Sequence, residues 1–270
     1  MKYADFIQKI LEDTSKIALA NFGKVKGRIK PDDKNQVLTD ADLEIGKLVI
    51  EKIGIEFPQY NVIDEEAGVI DKGSDYTFVV DPIDGTANFA KGIVTYGTMI
   101  GLLEKATPIA GGLSLPSLNQ IITAEKGKGA YLNKKKIFAT SEEDLSSTLI
   151  SIGLDPDKNN PDKVRDQMKI IAEVLINSRN LRSSNSVFDL VMVAKGSYGG
   201  WLNLSGKIWD NVGPQIVLEE AGAIYTDFLG NPIDYFDPLT KTKINYTNCV
   251  APPVLHKQLQ EIIHNDVVVI

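Results

Sequence analysis

The chain has 270 residues, 43% hydrophobic, 24% charged and 7% aromatic. That excludes a disordered tail, a collagen-like repeat or a disulfide-stapled miniprotein, and leaves room for one large domain or two modest ones. Lys+Arg 29 against Asp+Glu 36 give a formal charge of −7, so general charge attraction to nucleic acid is not expected and an anionic substrate would need help from cations.

The N-terminal segment is amphipathic and carries Asp5 and Glu12 inside its apolar stretch, unlike a signal peptide. No apolar run of about 18 residues reads as a membrane span. The expectation is a soluble, cytoplasmic protein with no membrane partner. Phe6, Ile7, Ile10, Leu11, Ile17, Ala18 and Phe22 recur at helical spacing, which predicts a helix over 3–22 stopped by Gly23. Segment 24–38, rich in Lys, Asp, Gly and Pro, reads as an exposed loop. Asp40 or Asp42 is placed to cap a second helix with Ile45, Leu48, Val49 and Ile53 on one face.

After Pro58 short β-like runs take over, at 60–63, 77–80, 98–103, 109–113, 120–125 and 130–132, most of them separated by Gly or Pro. A polar stretch at 141–147 leads to a strand at 148–152. Pro161 starts a helix with Val164, Met168, Ile171 and Leu175 in register. A short helix at 186–195, a strand at 200–204, a helix opened by Asp210 through Ala221, a strand at 223–227 and a helix at 254–264 complete the chain. Blocks of helix and blocks of strand without strict alternation predict layered α+β packing, with a boundary between about 135 and 147, dividing residues 1–140 from 141–270.

Acids stand in three unusual settings. Asp64-Glu65-Glu66 follows a short apolar strand, Asp81-Pro82-Ile83-Asp84-Gly85-Thr86 ends a strongly apolar one, and Trp209-Asp210 opens a predicted helix. An Asp directly after Phe-Val-Val lies where the chain leaves a core, and its charge needs compensation. Hard divalent cations are the usual answer where carboxylates converge, and Mg²⁺ suits phosphate chemistry. Taken singly, Asp210 reads first as an N-cap, and Glu65 and Glu66 read equally well as solvated turn residues. The Asp81–Thr86 string is different: Pro82 keeps Asp81 extended, and the Gly85-Thr86 turn can present backbone N–H groups to a phosphate.

The Asp81-Pro82-Ile83-Asp84-Gly85-Thr86 string, with Glu65-Glu66 upstream, resembles the central signature of the inositol monophosphatase family. Trp209-Asp210-Asn211-Val212-Gly213-Pro214, followed by Glu220-Ala221-Gly222, resembles its second signature, and Leu38-Thr39-Asp40-Ala41-Asp42 its N-terminal element. The resemblance implies the layered α-β-α-β-α sandwich of the inositol monophosphatase and fructose-1,6-bisphosphatase type, most metal ligands lying in the N-terminal half. It implies a phosphoric monoester hydrolase using two or three Mg²⁺ ions, and a homodimer. Glu65, Asp81 and the Ile83 carbonyl would hold one ion, and Asp81, Asp84 and Asp210 a second. Thr86 would position the attacking water, with Asp42 orienting Thr86 and Glu65 also serving catalysis; the N–H groups of Gly85 and Thr86 would bind phosphate. The physics makes the same demand, because a dianionic ester approaches an acidic site only through bridging cations.

Members acting on inositol phosphate carry an acid seven residues before the second-signature Asp; here that position is Asn203. Asn185 and Ser186 stand where the family shows Gly and a small residue, and Lys207 lies near the mouth, solvated or against a second phosphate. These four are the expected substrate contacts, and Lys30 and Lys34 of the 24–38 loop are further cations in reach of a phosphate or a third ion's water. The expected substrate is the phosphate ester of a small polyol or sugar. Fructose 1,6-bisphosphate and 3′-phosphoadenosine phosphate are the alternatives, and a non-catalytic binding protein is the remote one. A haloacid-dehalogenase-like route fails, since Pro82 occupies the nucleophile's position. A serine or cysteine hydrolase is not expected either: His256 and His264 lie far from every motif, and Cys249, the only cysteine, reads as a buried apolar residue.

Overall fold

A computed structural model describes residues 2–25, 27–29, 37–157 and 159–267. Helix α1 (Lys2–Asn21) buries Ile7, Ile10, Leu11 and Ala18, the stripe that the sequence spacing marks. Within the segment expected as a loop, β1 (Arg28–Ile29) and β2 (Val37–Leu38) pair antiparallel, a correction to that reading; Lys30 and Lys34 lie outside the described residues. Helix α2 (Asp40–Glu56) starts after Thr39, whose N–H and hydroxyl both donate to Asp42 Oδ2, at 2.8 and 2.5 Å. Asp42 therefore secures the helix entry from its third position.

Eight strands form the first sheet. They are β3 (Asn61–Asp64), β4 (Gly68–Ile70), β5 (Tyr76–Asp84), β6 (Gly97–Glu104), β7 (Thr107–Leu115), β8 (Gln120–Glu125), β9 (Ala130–Leu132) and β10 (Lys135–Ile137), in the spatial order β10-β9-β8-β7-β6-β5-β3-β4. Within this sheet only the β3–β5 pair is parallel, so the C-terminal ends of these two strands lie side by side. The short helix α3 (Thr86–Ala90) follows β5 directly.

The second sheet holds β11 (Leu149–Gly153), β12 (Asn180–Arg182), β13 (Gly200–Gly206), β14 (Ile224–Thr226) and β15 (Tyr246–Ala251), in the order β12-β11-β13-β15-β14. Its helices are α4 (Pro161–Asn177), α5 (Val187–Ala194), α6 (Val212–Glu220) and α7 (Pro253–Val267). Helix α4 turns a different face inward from the one expected: Ile170 and Val174 are buried, whereas Met168 and Leu175 are exposed. Asp210 does not open α6 but closes a 3₁₀ turn, Ile208–Asp210, just ahead of it.

Side-chain alternation along the strands builds the layers. Phe78 and Val80 of β5 meet α1 and α2, while Val79 faces the opposite way toward α5 and α6. The far side of that helical layer packs on Trp201 and Val250 of the second sheet, whose outer face is covered by α4 and α7 through Ile170, Val174, Leu255 and Leu259. The order is helices, sheet, helices, sheet, helices, the α+β sandwich that the resemblance implies. Close backbone contact fixes the central layer: a methyl on Gly101 of β6 would stand 2.5 Å from the Gly213 nitrogen of α6. Both residues must be glycine for α6 to lie this low on the sheet, and overpacking here costs about 1–3 kcal/mol.

Candidate functional site

The site begins with an irregularity in β5. Asp81 pairs with Met99 and Asp84 with Gly97, so three residue steps on β5 face two on β6. In a regular strand Asp81 and Asp84 would point to opposite faces. One inserted residue at Pro82-Ile83 brings both carboxylates to one side and sends Ile83 into the core beneath α1 and α2. Pro82 suits a bulge because it has no N–H to give the ladder, and its carbonyl accepts from the Thr98 hydroxyl at 2.8 Å.

Asp210 arrives from the other direction. The Lys207 N–H donates to its Oδ2 at 2.6 Å, and its own N–H donates to the Lys207 carbonyl at 3.1 Å, closing a tight turn ahead of α6. Because α6 is seated on β6, this turn overlies the end of β5. Carboxylate oxygens of Asp81, Asp84 and Asp210 lie within 4.8 Å of one another. Glu65 follows β3, its N–H donating to the Val80 carbonyl at 3.1 Å, and it lines the same cleft. Buried Asp64 turns the chain there by accepting the N–H groups of Glu66 and Ala67 at 2.9 and 2.8 Å.

The electrostatics are those of crowded acids, offset only in part by the Lys207 charge near Asp210. Burial, then the charges of Glu65, Asp84 and Asp210, push Asp81 well above the usual carboxylate range. Burial and Asp210 do the same to Asp84, opposed by a short hydrogen bond from the Val187 N–H. Burial and Glu65 push Asp210 up to about 7. Among the described residues, buried Asp81 Oδ1 has no hydrogen-bond partner. An orphaned oxygen at the centre of convergent carboxylates fits a hard divalent cation held by oxygen ligands, so the residues present suit Mg²⁺.

Thr86 Oγ1 lies 2.7 Å from the Ile83 carbonyl oxygen and 3.3 Å from Asp42 Oδ1. Burial pushes Asp42 up to about 6 against the two Thr39 hydrogen bonds. Gly85 has φ 76°, and a methyl there would stand 2.9 Å from Ser186 Cβ and from the Thr95 carbonyl oxygen, so only glycine makes this turn. Gly85 and Thr86 border the cleft, whose volume is about 570 Å³.

The four expected substrate contacts all line this cleft. Asn185 has φ 52°, accepts the Leu154 N–H at 2.7 Å and reaches Asp155 Oδ1 at 3.3 Å. Ser186 caps α5 and exchanges a hydrogen bond with Ser184 at 2.9 Å. Asn203 is mostly buried, its Oδ1 facing the Ser205 N–H at 3.3 Å. Lys207 donates its ammonium to the Lys243 carbonyl at 3.2 Å, at the rim.

Several cleft groups escaped sequence reasoning. Asp155 and Lys163 come from the segment after β11; the only signal for Asp155 was a Leu-Asp-Pro string directly following an apolar strand. Asp189 is fully buried in α5, and its Oδ2 accepts the Ser184 and Asn185 N–H groups at 2.9 and 3.1 Å. It anchors the loop that carries Asn185 and Ser186, and nothing in the sequence marks it, since a single Asp in a helical turn is ordinary.

A profile of the inositol monophosphatase family matches residues 3–268. The chain is 30% identical over 246 residues, 88% of its length and 92% of the other's, to a fructose-1,6-bisphosphatase/inositol-1-monophosphatase of Aquifex aeolicus. It is 30% identical over 193 residues to a Nus factor SuhB of Xylella fastidiosa, covering 71% of this chain and 69% of that protein. Its fold is similar to that of a Thermotoga maritima IMPase, with TM-score 0.87 and 24% identity over 99% of both chains.

Proposed function

Because the chain belongs to the inositol monophosphatase family, we propose that it hydrolyses the phosphate monoester of a small polyol or sugar, with Mg²⁺ held by Glu65, Asp81, the Ile83 carbonyl, Asp84 and Asp210. One observation carries this reading: three acids converge within 4.8 Å around a buried carboxylate oxygen that no described group satisfies. Bound at such a cluster, Mg²⁺ would offset the ester's two charges and stabilise those that develop as the bond to phosphorus breaks.

The chain's own groups do the rest. Thr86 Oγ1 orients a water toward phosphorus, and Asp42, with a pKa pushed up to about 6, stands ready to draw the proton away through Thr86 near neutral pH. The water oxygen bonds to phosphorus, the ester P–O bond breaks, and the leaving alkoxide takes up a proton from solvent water in the open cleft. Gly85 and Thr86, in the unpaired first turn of α3, supply N–H groups to the phosphate. Asn185, Ser186 and Asn203 offer neutral hydrogen-bonding groups to hydroxyls of the ester's alcohol, and Lys207 a charge at the rim. With an amide at Asn203, inositol 1-phosphate has no special claim over sugar phosphates.

Relatives named as Nus factors support a second reading, a binding protein on the same fold. The convergent carboxylates favour catalysis, because a binding role has no need of them. Phosphate release from p-nitrophenyl phosphate, inositol phosphates, fructose 1,6-bisphosphate, sugar monophosphates and 3′-phosphoadenosine phosphate decides between the two. Turnover with Mg²⁺ that EDTA abolishes is expected; no turnover of any ester by a metal-bound protein would favour the binding reading.

A further inference from the structure

Asp210 reaches the carboxylates of the first sheet from a turn, and turns are soft unless something holds them. What holds this one is the next residue. Asn211 is fully buried and is not among the residues that line the cleft. Its Nδ2 donates to the Lys207 carbonyl at 2.5 Å, the same carbonyl that receives the Asp210 N–H. Its Oδ1 accepts from Tyr225 Oη at 3.0 Å and from Asn248 Nδ2 at 2.6 Å. Tyr225 belongs to β14 and Asn248 to β15, and both are buried. The turn sits just after a break in strand register, where Asn203–Gly206 of β13 faces Asn248–Tyr246 of β15. The backbone there has left the ladder, and the amide of Asn211 restores its connection to the sheet.

We infer that Asn211 is a positioning residue that mounts the Asp210 carboxylate on the second sheet and so sets the spacing of the metal-holding cluster. Asp81 and Asp84 are carried by the first sheet, so the gap across which an ion would be shared is a gap between two sheets. The mount has two links: Tyr225 and Asn248 fix the Asn211 amide, and the amide fixes the carbonyl of Lys207, the residue whose own N–H grips Asp210 Oδ2. Ligand atoms must sit within about 0.2 Å of their ideal distance for tight binding, and loss of a group that orients a ligand typically costs about 10–100-fold in metal affinity. This inference rests on the proposed metal role of Asp210.

Calorimetric titration with Mg²⁺, without substrate, tests it on Asn211→Ala. In Asn211→Ala the Mg²⁺ dissociation constant should rise about 10–100-fold. Should that variant not fold, Asn248→Ala serves instead, because it removes one support of the Asn211 amide and leaves the Asp210 turn chemically whole; a rise of about threefold or more is expected. A purely structural role lowers the melting temperature of these variants but leaves the affinity of the folded protein unchanged, and wild-type Mg²⁺ affinity in either folded variant overturns the inference. The wild type separates the two readings. If it binds Mg²⁺ but hydrolyses no ester, the functional reading fails and the role of Asn211 stands; if it binds no Mg²⁺, both fall.

Discussion

Asp210 and Asn211 are consecutive, yet they enter opposite kinds of buried polar environment. Asn211 joins a neutral network in which each of its polar atoms meets a complementary group, Tyr225 and Asn248 donating and the Lys207 carbonyl accepting. Asp210 joins Asp81 and Asp84, three like charges whose pKa values rise because burial and mutual repulsion disfavour ionisation. At Asn211 the first environment is satisfied by the chain itself, while Asn248 Oδ1 beside it has no hydrogen-bond partner among the described residues. In the second, the Val187 and Lys207 N–H groups reach one oxygen each of Asp84 and Asp210, and Asp81 Oδ1 is left to a proton or a cation from outside. Burial is common to both, so burial alone does not mark a site; the missing counter-charge does.

The sharpest way to break this contrast is to convert part of the charged cluster into a neutral one. Asp84→Asn keeps the shape and the Val187 contact but removes a negative charge. A loss on the order of a thousandfold in kcat is expected, with a much higher Mg²⁺ requirement. Titration of rate against Mg²⁺ checks it, and an unchanged Mg²⁺ dependence would place Asp84 outside the cluster. A smaller effect is expected at the edge of the cluster, where Thr86 is neutral. Thr86→Ala should lose roughly a hundredfold in kcat while keeping nearly the same Mg²⁺ dependence, since a hydroxyl that orients water need not be a ligand. Equal shifts in Mg²⁺ dependence for both variants would mean that the two residues share one role. Smaller again is the effect of neutrality at Asn203. Inositol 1-phosphate should not exceed every sugar phosphate by more than about tenfold in kcat/KM, roughly 1.4 kcal/mol of preference; a larger margin in a substrate screen sinks that reading.

Much of the charged region was legible in the sequence, and almost none of the neutral one. Asp81 stands out because an acid directly after Phe-Val-Val has no ordinary place to go, and Asp84 follows it in the same string. The bulge that turns them to one side was not legible, since it depends on register against β6. Strand β15, which carries Asn248, follows a polar stretch and shows no clean alternation, so it was missed together with its role. Helix α4 failed differently. Ile170, Ile171, Val174, Leu175 and Ile176 crowd together, so two neighbouring stripes satisfy the helical period, and only the placement of α7 selects the one that is buried. Asn211 looked like a spacer inside a motif because its three partners are dispersed along the chain.

The smallest expected effect is on stability, and it asks whether the charged cluster truly lacks a partner within the chain. An ordinary Asp titrates near 3.8, whereas burial pushes Asp42 up to about 6 and Asp210 up to about 7. A group whose pKa is raised by folding binds more protons in the folded state, so its contribution is complete below about pH 3.9 and disappears as pH climbs through the folded value. The metal-free protein should therefore lose stability from the cluster between pH 5.5 and 8, on the order of 2 kcal/mol or about 4–8 °C. Other groups blur that slope: burial lowers the pKa of His256 on α7, and its contribution runs in the opposite direction, rising with pH. The difference between melting temperatures with Mg²⁺ and with EDTA removes them, because His256 belongs to the packing of α7 rather than to the cleft. Protons and Mg²⁺ compete for the same carboxylates, so this difference should grow steadily from pH 5.5 to 8. A difference that stays flat would mean that the acids are already ionised at pH 5.5, balanced by charges within the chain, and the contrast between Asp210 and Asn211 would vanish.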